Sequence, residues 1–383
     1  MPGSVPPVAS RDGPQSPVDA GISVGTLDAG SLTRLVDAAN QRRAEGDAAG
    51  ALRLLQAAAP LAVGDGRDWR HARAALANAL GLALFDRGEL AAATRHLRSA
   101  LSGWRRVRPA DPGHLAAALN NLGLVAEAQS RPARAARLHR LALTLRERAA
   151  APHSSTQVAQ SLVNLGSALR ALGRHDEAGD RLRRAHALFR KARGDGHRST
   201  ANAARHLALL RADQGRWRDA EALLRPALTA VETMLPAGDW LHAALLNDLG
   251  AVLENLGQAA AAEGLHRRAL AIREASLGPG HADVARSREA LAVALSAQGR
   301  HGAAEDLLRQ ALADKQAALG ADHPSVAISL YNLAVKLCER RDWAAALPLL
   351  RRCLAIRWQR LGTDHALTRD AVELLARVER QMA

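Results

Sequence analysis

One phrase, Leu-Gly-x-x-His, returns at a fixed interval. It opens "LGPGHADVARSREALA" at 277–292, "LGADHPSVAISLYNLA" at 319–334 and "LGTDHALTRDAVELLA" at 361–376, with starts 42 residues apart. A period of this length marks a chain built by copying one supersecondary unit. A Leu followed by a small residue keeps the same time: Leu80, Leu122, Leu165, Leu207, Leu249, Leu291 and Leu333 are followed by Gly81, Gly123, Gly166, Ala208, Gly250, Ala292 and Ala334. Eight residues after each Leu comes a turn position, filled by Gly88, Ser130, Gly173, Gly215, Gly257, Gly299 and Arg341. Five further on stand Ala93, Ala135, Ala178, Ala220, Ala262, Ala304 and Ala346, and seven beyond those Ala100, Ala142, Ala185, Ala227, Ala269, Ala311 and Cys353.

Each slot has a physical reading. The Leu and its small neighbour share one face of a first helix. Glycine ends that helix because it reaches positive φ without a steric penalty. Two Ala seven residues apart lie on one side of a second helix, two turns apart, and let the helices approach closely. A single pair cannot bury its apolar face, so neighbours must stack. The opening phrase is then the linker between units. Its Leu is expected to pack at the end of the second helix, its Gly to break that helix, Asp to cap the next one and Pro to take its first turn. The frame extends back to a degenerate first unit near Ala38, with Ala39, Gly46, Ala51 and Ala58 in the slots. It extends forward to Leu375, so that 365–381 reads as a capping helix. The expectation is an all-α, right-handed superhelical solenoid of antiparallel helix pairs: about eight units, some seventeen helices and essentially no strand. It occupies 31–383, behind a Pro-, Gly- and Ser-rich leader, 1–30, read as disordered.

Composition agrees. Aromatics are 2% of residues, which suits close-packed helices and not a sandwich or barrel. There is no apolar run long enough for a membrane span and no secretory pattern at the start. With only Cys338 and Cys353, the chain reads as cytoplasmic, free of disulfides and away from membranes. The formal charge is +14. Only three of the 52 basic residues are Lys (Lys191, Lys315, Lys336), so an Arg excess set by base composition competes with a nucleic-acid reading.

No catalytic constellation emerges. No Lys follows a Gly as a phosphate loop requires, and neither HExxH nor CxxC occurs. The reading is therefore a non-enzyme with no cofactor and no metal. His281, His323 and His365 sit one per linker and cannot converge on an ion, so they read as turn or cap residues. Cys353 fills an Ala slot and reads as core; Trp217 and Trp343 share one slot after the turn and read as core too.

The slots Leu80-Gly81, Gly88, Ala93 and Ala100, with six later copies, resemble the tetratricopeptide repeat. The 42-residue period, "ALAIRE" at 269–274, "CLAIR" at 353–357 and the linker phrase are similar to the long-helix repeats of kinesin light chains and their bacterial relatives. The chain departs from that pattern at Pro132, Arg341 and Trp240. It lacks the light chains' coiled-coil segment, so no motor role is implied. Bacterial repeats of this type are often fused to nucleotide-switch domains; here such a domain would be a separate chain.

The resemblance implies that first helices line a concave groove that holds partner peptides. The position before the anchoring Leu, with those two and five before it, are expected to face outward there. They supply Asn78, Asn120, Asn121, Gln160, Asn164, Asn202, Arg205, His206, Asn247, Arg286, Tyr331 and Asn332, to which Arg170 is added. Asn is a poor helix former, so its recurrence mid-helix needs another reason. An amide both donates to and accepts from any peptide backbone. The competing reason is a bond to the neighbouring repeat. Arg170, Arg205, His206 and Arg286 would make the groove basic and favour an acidic protein or peptide partner. The alternative reading is a nucleic-acid-binding or regulatory protein using an Arg-rich surface. It lacks a helix-turn-helix unit outside the repeat frame and the aromatic residues that stack bases.

Overall fold

The computed structural model describes residues 28–149, 154–236, 238–363 and 365–382. Most of the proposed leader, 1–27, lies outside them. The helical boundary falls slightly earlier than expected: Asp28 caps α1 by accepting from the Ser31 amide at 2.6 Å, and Gly30 is already helical.

The backbone forms two compact units, divided between Ala185 and His186. The first holds α1 (Ala29–Ala44), α2 (Ala48–Ala58), α3 (Arg67–Asp86), α4 (Leu90–Arg106), α5 (Pro112–Ala128), α6 (Pro132–Arg148), α7 (Ser154–Ala171) and the start of α8 (His175–Arg193). The second holds the rest of α8 and then α9 (Arg198–Asp213), α10 (Trp217–Met234), α11 (Trp240–Asn255), α12 (Ala259–Leu277), α13 (Ala282–Ala297), α14 (His301–Leu319), α15 (Pro324–Glu339), α16 (Trp343–Leu361) and α17 (Ala366–Met382). Seventeen α-helices, one short 3-10 turn and no strand occur among the described residues. Within each unit consecutive helices pack as pairs, such as α3 with α4 and α11 with α12, and a pair packs on the following first helix, as α4 does on α5 and α12 on α13. This is the solenoid arrangement expected from the repeat frame.

The slots behave as the sequence dictates. All seven anchoring leucines are buried, and all but one of the paired Ala and Cys positions are at most 1% exposed. Burying each Leu stabilises its unit by about 1.5–3 kcal/mol. The close approach is visible at Gly123, where an added Cβ would stand 2.3 Å from the His139 ring. All seven turn positions have positive φ, including the two that are not glycine, Ser130 (56°) and Arg341 (62°). In the degenerate first unit Ala39, Ala51 and Ala58 are buried, but Ala38 is exposed: a methyl group there does not replace the anchoring Leu.

The linkers need two corrections. Leu277 and Leu319 do not pack at the helix end; they are 45% and 37% exposed. The cap after them is the histidine and not the preceding Asp. His281, His323 and His365 each turn Nδ1 back to accept from the amide two residues on, at 3.1–3.2 Å, and His197 does the same. In other linkers an Asp takes this N-cap position, as Asp111 and Asp239 do. Pro324 takes the first turn as expected. Trp217 and Trp343 are partly buried against their cores, and both cysteines are buried and free.

Candidate groove and seams of the first helices

At three repeats the position two before the anchoring Leu does not face outward, whereas Asn78, Arg205, Asn247 and Tyr331 in the same position are half-buried. Asn120 is 5% exposed, Val163 2% and Glu289 9%. The reason is the docking of the next unit, which covers this side of the helix. The amide nitrogen of Asn120 donates to Ser161 Oγ in α7 at 3.0 Å. Its oxygen is thereby turned to His139 in α6, whose Nδ1 donates at 3.0 Å. Arg146, also in α6, closes the set: Nη1 donates to Ser161 Oγ and to the Gln157 carbonyl, both at 2.7 Å. Burial holds its guanidinium below the ordinary arginine range.

The same four residue types meet again in the second unit. Asn247 donates to Ser287 Oγ at 3.1 Å, His266 Nδ1 lies 3.0 Å from the Asn247 oxygen, and Arg273 donates to Ser287 Oγ at 2.7 Å. One repeat later the slots hold Glu289, Leu308, Lys315 and Ser329. There Lys315 Nζ donates to Glu289 at 2.7 Å and Ser329 donates to the same carboxylate. Elsewhere the slots mix: Asn78 stands with Leu97, Trp104 and Ala118 in the first unit, and Arg205 with Leu224, Val231 and Leu245 in the second. At the seams of Asn120, Asn247 and Glu289 the polar side chains partner one another within the set, as burial requires. His139, Arg146, Ser161 and their counterparts were not singled out from sequence. The signal that could have found them is the repetition of Asn, His, Arg and Ser in matching slots of two repeats.

The position just before the anchoring Leu is less buried in most repeats, although Ala79 is fully buried. Asn121 and Asn164 in the first unit, and His206, Asp248 and Asn332 in the second, are half-buried. Bonds within the chain hold these side chains. Asn121 donates to Asn78 at 2.9 Å, Gln160 donates to Asn164 at 2.9 Å, and Arg205 Nε meets Asp248 at 2.5 Å. Arg205 is therefore neutralised and not held ready for a partner's carboxylate. Arg286 is exposed and bonds Asp283 at 2.8 Å; Arg170 and Asn202 are half-buried. Tyr331 lies under the Arg357 guanidinium, 4.7 Å from its ring centre. It also lines a cleft of about 660 Å³ between α15 and α17, with Val335, Asp370, Glu373, Arg377 and Arg380. Those α17 residues were missed because the sequence frame treats that helix only as a cap.

Residues 72–148, 157–233 and 241–317 match the tetratricopeptide repeat family, and 326–367 match a second description of the same repeat. The chain belongs to the tetratricopeptide repeat family. A comparison with curated proteins found no match. Among solved structures, this tetratricopeptide repeat protein is similar to the Rap conjugation gene regulator of the plasmid pLS20 in complex with the Phr* peptide, at 12% identity over 87% of this chain and 98% of that one, with a TM-score of 0.60. It is similar to a Rap protein complexed with Competence and Sporulation Factor, at 15% identity, 92% and 100% coverage and a TM-score of 0.56. A bacterial kinesin-light-chain structure, BtubC from P. vanneervenii, aligns at 21% identity over 65% and 93%, with a TM-score of 0.48. Among the described residues no helix is long and apolar enough to cross a membrane.

Proposed function

We propose that the protein is a non-enzymatic, cytoplasmic interaction module that holds a segment of a partner protein along the open row of its first helices. The observation that carries this reading is the half-buried polar side chains just before the anchoring Leu, Asn121 and Asn164 in the first unit and Asn332 in the second. An amide that spends one hydrogen on a neighbour keeps a second donor and further acceptor capacity for a peptide backbone. Asn121 uses one such bond on Asn78. Two solved structures of the same fold are complexes with a factor and with a peptide, which agrees with a segment-binding role. The net charge of +14 favours an acidic partner through long-range attraction, since Arg205 is occupied by Asp248.

The test is a titration against a partner recovered from the native cell extract, using the wild type and an Asn121→Ala/Asn164→Ala double variant. Each lost bond is expected to weaken binding by about 0.5–1.5 kcal/mol. A folded double variant with unchanged affinity would remove this row from the binding site.

A further inference from the structure

The second helices of the repeats differ in charge although one repeat pattern encodes them all. In the first unit α4 carries four Arg and no acid, and α6 carries five Arg and one acid, Glu147. In the second unit α10 has two Arg against three acids, α12 three Arg against two acids, and α14 two basic residues against three acids. Arginines of those helices are consumed within the chain: Arg225 on Glu221, Arg267 on Glu263, Arg268 on Glu232 and Arg309 on Glu305. The last second helix, α16, is basic again, but Arg351 meets Glu379 and Arg357 is buried. A base-composition excess would load all the second helices alike. The second helix α8, divided between the units, carries six basic residues against three acids, with Arg183 on Asp180 and Arg184 on Glu147, whereas α4 and α6 together carry nine Arg against one acid, an imbalance that needs a different cause.

Six of these arginines occupy matching slots. Arg95, Arg98 and Arg106 on α4 correspond to Arg137, Arg140 and Arg148 on α6, and all six are exposed. On each helix the three lie within one narrow arc of the surface and span ~16 Å of its length. None meets a carboxylate among the described residues; Glu147, the acid on this face, is held by Arg184 at 2.6 Å. We propose that this face of α4 and α6 binds the sugar-phosphate backbone of duplex DNA without reading its sequence.

Three features select that occupant. The cations are all Arg, whose planar fork matches phosphate oxygens in pairs. The face exposes no aromatic ring to stack unpaired bases, since Trp104 of α4 is buried, so a duplex fits better than a single strand. Leu141 is its one exposed large apolar residue, too little for insertion into a membrane surface.

The experiment is fluorescence anisotropy of a labelled random-sequence DNA duplex of about 24 base pairs, titrated with the full-length protein across a salt series. Two variants lose the same charge: R95Q/R98Q/R137Q/R140Q in the first unit, and R351Q/R352Q/R360Q/R369Q in the second. The first is expected to weaken binding more than about tenfold at low salt and to flatten the log–log salt slope by about 3–4. The second is expected to change affinity less than about threefold. Equal losses in both variants would assign the attraction to net charge and overturn the proposal. So would no binding by the wild type at low salt, tighter binding to duplex RNA, or competition by polyglutamate as effective as by unlabelled DNA. Because the competition arms use the wild type, they decide even if a variant fails to fold.

Discussion

Asn120 reaches across a seam between repeats to donate to Ser161 Oγ at 3.0 Å, and both side chains are buried. Removing Asn120 alone leaves His139 Nδ1 without its acceptor and takes one donor from Ser161. Asn120→Ala is therefore expected to destabilise the protein by about 1–3 kcal/mol. Asn121→Ala, on the half-buried row, should shift stability by no more than about 0.5 kcal/mol. Urea midpoints for the two variants decide this; equal midpoints would refute the assignment of Asn120 to the seam.

The mutual partnering of Asn120, His139, Arg146 and Ser161 makes a second prediction. Replacing all four members of one set by those of the next repeat, Asn120→Val, His139→Leu, Arg146→Phe and Ser161→Ala, removes every buried polar group together. Such replacement is often neutral or stabilising, whereas breaking one partner is costly. The quadruple variant should denature at a urea concentration closer to wild type than Asn120→Ala does. A quadruple variant less stable than the single one would show that the set does more than satisfy itself.

Arg341 and Ser130 hold positive φ at turn positions where the other repeats have glycine. A side chain in that conformation costs roughly 1–2 kcal/mol. Arg341→Gly and Ser130→Gly should each raise the thermal midpoint, by a net of about 1 kcal/mol. A fall in melting temperature would mean that these side chains contribute contacts outweighing the strain.

Ala178 and Ala220 are fully buried on α8 and α10, in the repeat slots that only a small side chain fills. Ala178→Leu or Ala220→Leu should cost roughly 1–3 kcal/mol through overpacking. An unchanged chemical-denaturation midpoint would count against the close approach at that pair.

His323 and His197 cap α15 and α9 through a neutral Nδ1 lone pair. Desolvation foremost, and then nearby cations, hold both rings below the ordinary histidine value. A depressed folded-state value means that the unfolded chain binds the proton more readily. The caps' contribution is therefore intact above about pH 6.5 and is lost as the pH falls below it. Loss of a cap costs about 0.5–2 kcal/mol. His323→Asp, which places in this slot the residue that caps α5 and α11, should keep its stability from pH 7 to pH 5.5 better than wild type. Parallel pH profiles for the two proteins would show that the His323 cap carries no acid sensitivity.

The repeat frame was legible because each slot answers a local demand. A turn needs positive φ, a close helix pair needs a methyl group or less, and an apolar face needs a Leu. These demands recur every 42 residues, so the anchors, turn positions, Ala pairs and helix number could be read by counting. The linkers show where counting stops. The phrase announces a turn, but whether Asp322 or His323 caps α15 depends on which side chain reaches the free amide in three dimensions. The same limit governs the groove. A mid-helix Asn reads alike at 120 and 121, yet Asn120 is buried by the docking of α7 while Asn121 stays half-buried. Arg205 and Asp248 stand 43 residues apart and neutralise one another only because successive first helices lie side by side. The periodicity of side chains determined that the chain would stack helix pairs. Which face of each helix the next pair covers, and so which polar groups remain for a partner, was decided only by the packing of one repeat on another.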